Sequence, residues 1–260
     1  MIDKQCSLAE ASALVDDGHT LGIGGLTIYR RPVTFAQALI RRPLPPSDLT
    51  LLTFTAGLAS DLLVGAGLVS RVRTCYFGLE IFGLAPMYSA AAKAGSLEII
   101  EESEASLANG LRAVLAGVGF LPSQAWQGTD MFRLRPDVQI IVDPYSGRQL
   151  TAFPAIEADV AVIHVLKADP SGNSVLGGNP TVDRELAAVA RTTIITAEEI
   201  VDRHEQQIDI PGQDVAAVVH CPRGAWPTSC YPVYPIDGPE ILDYIRACNQ
   251  GQFRDYVNAL

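Results

Sequence analysis

The chain has no Cys-x-x-Cys pair, no His-Glu-x-x-His, no Gly-x-Ser-x-Gly and no basic run longer than the pairs Arg30-Arg31 and Arg41-Arg42. Each absence removes a class of function. The five cysteines (Cys6, Cys75, Cys221, Cys230 and Cys248) are odd in number and widely spaced. That spacing argues against a disulfide framework or a thiolate zinc site and fits reduced thiols in the cytoplasm. The four histidines, His19, His164, His204 and His220, stand singly without metal-ligand spacing, so no metal is expected. His164 and His220 end apolar runs, where a hydrogen-bonded core histidine is the ordinary reading. A net charge of -10 leaves no surface for nucleic-acid phosphates. No stretch approaches the roughly 20 apolar residues of a membrane span, and Met1-Ile2-Asp3-Lys4 does not open an apolar leader. The expected location is the cytoplasm, with neither nucleic acid nor membrane as partner.

What is present is a long, apolar chain. Apolar residues make up 48% of its 260 positions, enough to bury one large core, and the mean hydropathy is +0.20. Stretches such as Trp226-Pro227 and Tyr231-Pro232-Val233-Tyr234-Pro235 add more apolar surface than a lone acidic monomer leaves exposed. A partner interface accounts for them economically; a large core or a ligand groove are the alternatives.

Helix and strand signals alternate, as in a doubly wound sheet. Ser7 with Glu10 reads as a capping box for a helix through Val15, ended by Asp17-Gly18. After the first strand, Pro32 takes the first position of a helix ending near Arg42, and strands are expected at 49–54 and 72–77. A helix at about 86–94 stops at Gly95, a strand covers 97–101, and Ser103 caps a helix to about Ala116. The short β-branched runs 138–142, 160–165, 193–196 and 215–219 have the composition of strands buried in a parallel sheet, with helices from Glu185 and Pro239 covering the faces. No repeat, linker or composition shift divides the chain. Residues 1–260 therefore read as one α/β domain, an open, mostly parallel sheet flanked by helices.

The most informative stretch is Leu21-Gly22-Ile23-Gly24-Gly25-Leu26, between the first strand and Pro32. Gly24 and Gly25 lack a Cβ, so the turn through Leu26 and Thr27 can take positive φ and expose N–H groups to a phosphate, carboxylate or developing oxyanion. A glycine-tolerant tight turn is the alternative. A dinucleotide fingerprint is excluded, because Thr27 stands where its last glycine belongs and no acid follows a second strand about 20 residues on.

Ligands of such sheets bind beyond the carboxyl ends of the strands. Gly78-Leu79-Glu80 follows the third strand there, and Glu102-Ser103-Glu104 follows the next. Glu80 and Glu104 near a glycine turn suit acyl transfer or acid–base chemistry. The plain alternatives are a solvated loop acid for Glu80 and a helix-dipole partner for Glu104. No serine or cysteine has a nucleophile's signature context, so the attacking group is to be sought outside this chain. Arg30, Arg31 and Arg133 are candidates to pair with phosphates or a carboxylate, although unassigned surface arginines are commoner.

Asp17-Gly18-His19-Thr20-Leu21-Gly22-Ile23-Gly24-Gly25-Leu26 followed by Arg30-Arg31-Pro32 resembles the glycine signature of family I coenzyme A transferase α subunits, of the glutaconate CoA-transferase α type. The likeness runs nearly end to end. It includes Cys75-Tyr76-Phe77-Gly78-Leu79-Glu80, Phe120-Leu121-Pro122, Gly128-Thr129-Asp130, Ala168-Asp169-Pro170-Ser171-Gly172-Asn173, Ile210-Pro211-Gly212 and the segment from Cys221 to Tyr231, in that order.

The resemblance implies a NagB/RpiA/CoA transferase-like fold paired with a homologous β subunit, as αβ or α2β2. Coenzyme A would be a substrate and no cofactor would be permanently bound. In the family a β-subunit glutamate attacks the acyl-CoA and passes through an anhydride to a glutamyl-CoA thioester. This chain would then supply the facing wall: Gly24, Gly25, Leu26 and Thr27, the Glu80 loop, and Glu104. Four places depart from the pattern. Leu26 stands where phenylalanine is usual, Arg31 where many members have glycine, Trp226 where many have histidine, and Glu104 where characterised transferases carry glutamine. A carboxylate at Glu104 would repel an oxyanion but could serve as a base. One branch of the family, a carbon–carbon hydrolase acting on ring-opened steroid acyl-CoAs, has glutamate at this place and needs no β nucleophile. Three readings follow: a transferase, an acyl-CoA hydrolase using Glu104, and a non-catalytic partner scaffold.

Overall fold

The computed structural model describes residues 2–259. Four parallel strands open the fold: β1 (Thr20–Ile23), β2 (Leu49–Thr53), β3 (Val69–Thr74) and β4 (Glu98–Glu101). Then β5 (Phe120–Ser123), β6 (Gln139–Val142) and β7 (Gln149–Pro154) form a separate antiparallel sheet in the order β5-β7-β6. The chain returns to the main sheet with β8 (Ala158–Ala168), β9 (Ser174–Val175), β10 (Ala190–Ile200) and β11 (Ala217–His220). The main order is β11-β10-β8-β1-β2-β3-β4, parallel throughout, with β9 antiparallel on β8. The helices are α1 (Leu8–Ser12), α2 (Val33–Ile40), α3 (Leu58–Gly65), α4 (Pro86–Ala94), α5 (Glu104–Leu115), α6 (Met131–Leu134), α7 (Asp183–Val189), α8 (Gly238–Asn249) and α9 (Phe253–Ala259).

Strand periodicity sorts the core into two layers. Leu21, Ile23, Val160, Val162 and Ile194 pack with α2, α3, α8 and α9 on one face. Ala161 and Leu52 face α5 and α7 on the other, with Leu107, Leu111 and Leu186. Each fully buried aliphatic side chain contributes roughly 1.5–3 kcal/mol, so both faces are needed to hold the sheet. Gly22 sits where α7 crosses β1; a Cβ there would lie 2.7 Å from Leu186 Cδ1, so glycine lets the helix approach. No helix among the described residues is long and apolar enough to cross a membrane.

The parallel α/β architecture matches the sequence reading, with local corrections. The run 138–142 is not in the parallel sheet: β6 is an edge of the small antiparallel sheet, with Ile140 and Val142 exposed. The third strand lies earlier, at β3, because it registers with β2 and leaves Cys75 to Phe77 to continue as a loop bridged at Ala56. Pro32 is the N-cap of α2 rather than its first residue. The first helix ends at Ser12, and turns carry the chain to Val15.

Candidate active site

The glycine turn closes on itself. Gly24 N–H continues the sheet to Val162 O at 2.9 Å. Gly25, at φ 84°, donates its N–H to both carboxylate oxygens of Asp183, at 3.0 and 3.2 Å. Leu26 N–H reaches Tyr29 O at 2.9 Å, and Thr27 N–H reaches Thr55 Oγ1 at 3.1 Å. The turn therefore does not present these four amides to a ligand, contrary to the expectation from its glycines. The glycines are required sterically: a Cβ on Gly25 would stand 2.5 Å from Arg30 O and 2.7 Å from Tyr29 O, and one on Gly24 would stand 2.9 Å from Ile163.

Behind the turn lie two guanidinium groups, both wholly buried rather than at the surface. Arg30 pairs with Asp183 at 2.9 Å and also donates to His164 O and Asn179 O. Arg31 meets only neutral acceptors, Gly25 O, Thr55 O, Thr53 Oγ1 and Ser60 Oγ, each at 3.1 Å. Burial pushes Arg31 down to about 10, opposed by Asp183 and reinforced by Arg30, so it stays charged at neutral pH. It thus ties the turn after β1 to the loop after β2. Arg133 is exposed and faces Asp130 at 3.3 Å.

Glu80 follows β3 as the first residue of a one-turn 3-10 helix at φ 54°, and it is exposed beside Ile81 and Leu84. Glu104 is the first residue of α5, exposed, after Ser103, whose hydroxyl accepts from Ser106 N–H at 3.2 Å. Among the described residues neither carboxylate makes a hydrogen bond or ion pair. Both lie on the same sheet edge as the glycine turn. Three strand spacings separate β1 from β4, roughly 14 Å at about 4.8 Å each, so turn and Glu104 border an extended ligand rather than one atom. The thiol at this edge, Cys75, donates to Phe54 O at 2.6 Å. Burial, then the charges of Glu104 and Glu102, push it up to about 12, so it remains a thiol at neutral pH.

Sequence reasoning missed the residues that hold this edge. Glu102 is buried between Arg73 Nε at 2.8 Å and Arg135 Nη1 at 2.6 Å. His164 is the core histidine expected, with Nε2 2.7 Å from Glu198 Oε1 and Nδ1 2.9 Å from Thr196 Oγ1. Burial pushes it down, so the neutral ring donates through Nε2 to the carboxylate. Burial alone would raise Glu198, but His164, Tyr234 and Arg223 N–H donate to it and hold it below the usual carboxylate range. Cys230 lies within ligand reach of this pair, but burial pushes its thiol up to about 12. Trp226 has a structural post: its Nε1 donates to Asp237 Oδ2, at the N-cap of α8, at 3.1 Å.

Comparison with known proteins agrees with this architecture. The family model described as Coenzyme A transferase matches residues 6–220. An uncharacterized protein of Archaeoglobus fulgidus is 35% identical over 94% of this chain, which spans only 56% of that protein's length. The α subunit of 3-oxoadipate CoA-transferase of Pseudomonas knackmussii is 34% identical over 86% of this chain and 80% of its own. The cholesterol ring-cleaving hydrolase IpdA subunit of Rhodococcus jostii is 32% identical over 86% of this chain and 79% of its own. Among solved structures, a variant of the decarboxylase AibA/AibB superposes with a TM-score of 0.92 at 29% identity, covering 98% of this chain and 97% of that one. Glutaconate coenzyme A-transferase of Acidaminococcus fermentans superposes with a TM-score of 0.85 at 28% identity, covering 99% and 92%. With its sheet order, its closed glycine turn and these matches over most of its length, the chain belongs to the coenzyme A transferase family, among the α-subunit chains.

Proposed function

We propose that residues 1–260 act as the α subunit of a heteromeric CoA-transferase, which moves CoA between an acyl-CoA and a carboxylic acid through a glutamyl-CoA intermediate on a partner β subunit. The observation that carries this reading is a sheet edge with exposed carboxylates and no activated nucleophile: Cys75 stays protonated, and Asp183 and Glu102 are consumed in buried ion pairs. The partner's glutamate carboxylate attacks the thioester carbonyl carbon, and the C–S bond breaks to release CoA thiolate. That thiolate attacks the glutamyl carbonyl of the anhydride, releasing the first acid and leaving glutamyl-CoA. The second acid reverses both steps. Gly24, Gly25, Leu26 and Thr27 shape this chain's wall, Arg31 adds fixed positive charge behind it, and Glu80 and Glu104 border it. CoA enters as a substrate, in an αβ or α2β2 assembly in the cytoplasm; the five free cysteines fit a reducing compartment.

One observation favours a second reading. Glu104 is exposed and unpaired at the start of α5, so it is free to activate water or abstract a proton as the base of an acyl-CoA carbon–carbon hydrolase. The similarity to a ring-cleaving hydrolase chain supports the same possibility. The test is turnover of acyl-CoA by this chain co-expressed with its genomic neighbour, with and without acceptor acid, in wild type and Glu104→Ala. A transferase needs the acid and is weakened by the substitution. A hydrolase ignores the acid and loses turnover. Activity indifferent to both would leave a partner scaffold.

A further inference from the structure

The small antiparallel sheet reaches the start of α5 through two side chains. Arg135 Nη1 donates to Glu102 Oε1 at 2.6 Å and to Glu101 O at 3.1 Å, while its Nε and Nη2 hold Asp137 at 2.8 and 2.7 Å. Trp126 Nε1 donates to Ser103 Oγ at 2.7 Å. From the other side Arg73 Nε donates to the same Glu102 oxygen at 2.8 Å. The second Glu102 oxygen accepts from Ser106 Oγ, which in turn accepts from Ser103 N–H at 2.8 Å. A continuous path therefore runs from Arg73 and Arg135 through Glu102 and Ser106 to the turn that carries Glu104.

Charge makes this more than a staple. The Glu102 side chain is 2% exposed and stands two residues before Glu104. Both carboxylates act on one neighbour, since each raises the Cys75 thiol. An uncompensated buried charge at Glu102 would disfavour a second carboxylate charge beside it. The other charged or titratable groups around the turn are Arg73 and Cys75 from β3 and the loop that follows it, Glu101 from β4, and Arg135 and Asp137 from the small sheet's side.

We propose that Arg135, together with Arg73, is a positioning residue for Glu104: by neutralising and anchoring Glu102 it sets where the Glu104 carboxylate stands and keeps it ionised and available. The inference rests on the reading that Glu104 works at this edge. It gives the three-stranded sheet a task, bracing a catalytic turn from outside the main sheet.

The test follows the Glu104 carboxylate directly, by 13C NMR of glutamate-labelled chain in complex with its partner, with the Glu104 signal identified by its loss in Glu104→Gln. In Arg135→Met the midpoint of that signal should rise by roughly half a pH unit or more relative to wild type. Adding Glu102→Gln should bring it back down, and Arg135→Lys should leave it near wild type. A midpoint that Arg135→Met does not move, or that the double variant does not restore, overturns the proposal. Where Arg135→Met yields no folded chain, Glu102→Gln alone decides: a lowered midpoint supports the account, and an unmoved one refutes it. These shifts are read without substrate, so full activity in Glu104→Gln would remove the functional reading and leave them standing.

Discussion

Replacing Asp183 with alanine strips the counter-charge from two wholly buried guanidinium groups. The Asp183 side chain is 1% exposed and accepts from Arg30 Nη2 at 2.9 Å, from Gly25 N–H at 3.0 Å and from Thr181 Oγ1 at 3.1 Å. Without it Arg30 keeps only the carbonyls of His164 and Asn179, and Arg31 loses the one charge that opposes its burial. Breaking one side of a buried pair costs about 3–5 kcal/mol, against a whole-domain stability of about 5–15 kcal/mol. At about 2–4 °C per kcal/mol for a chain of this size, the melting temperature should fall by roughly 6–20 °C. The assay is thermal and urea unfolding of wild type, Asp183→Ala and the double variant Arg30→Met with Asp183→Leu. The double variant should be more stable than Asp183→Ala, because apolar groups replace both charges at once. A loss below about 1 kcal/mol in Asp183→Ala, or a double variant less stable than the single one, would refute the account of the glycine turn.

Three more outcomes follow from the same geometry. Burial raises the Asp61 carboxyl to about 6 against hydrogen bonds from Tyr244, Tyr88 and Met87, so the folded state holds this proton more tightly than the unfolded chain. Stability should therefore fall as pH rises from about 4 to about 6, by about 1.4 kcal/mol per unit between the two values, and urea titrations of Asp61→Asn should lack that fall. Gly25→Ala should destabilise by more than about 2 kcal/mol, because its Cβ meets backbone at positive φ. Gly18→Ala, at φ 73° with nothing within 4 Å, should cost only about 1 kcal/mol by the same unfolding measurement. Glu104→Gln should change stability by less than about 1 kcal/mol, losing only a helix-dipole contact, while acyl-CoA turnover falls; a large loss of stability with turnover kept would make it a cap alone.

Local chemistry is legible in the sequence, and long-range chemistry is not. The Ser7–Glu10 capping box and the Ser103 cap announce themselves because their partners lie three residues away. The apolar run of α3 carries no start signal, because its N-cap, Gly57, offers no side-chain oxygen. Residues 138–142 have the composition of a buried strand, and only their pairing with β7 sends them to an exposed edge. The glycine turn is visible, but its acceptor, Asp183, lies 158 residues on, so nothing local foretells that its amide is already taken. Arg30 and Arg31 read as surface cations for the same reason. Glu102, the buried member of Glu102-Ser103-Glu104, gives no signal until Arg135 arrives from another sheet.

The most direct test of the central proposal is covalent trapping. This chain, co-purified with its partner, is treated with acyl-CoA and then hydroxylamine or borohydride, and both chains are mapped by mass spectrometry. The account requires the modified glutamate to lie on the partner and none on this chain. A modified residue on this chain, or turnover with no adduct that disappears in Glu104→Ala, would contradict it.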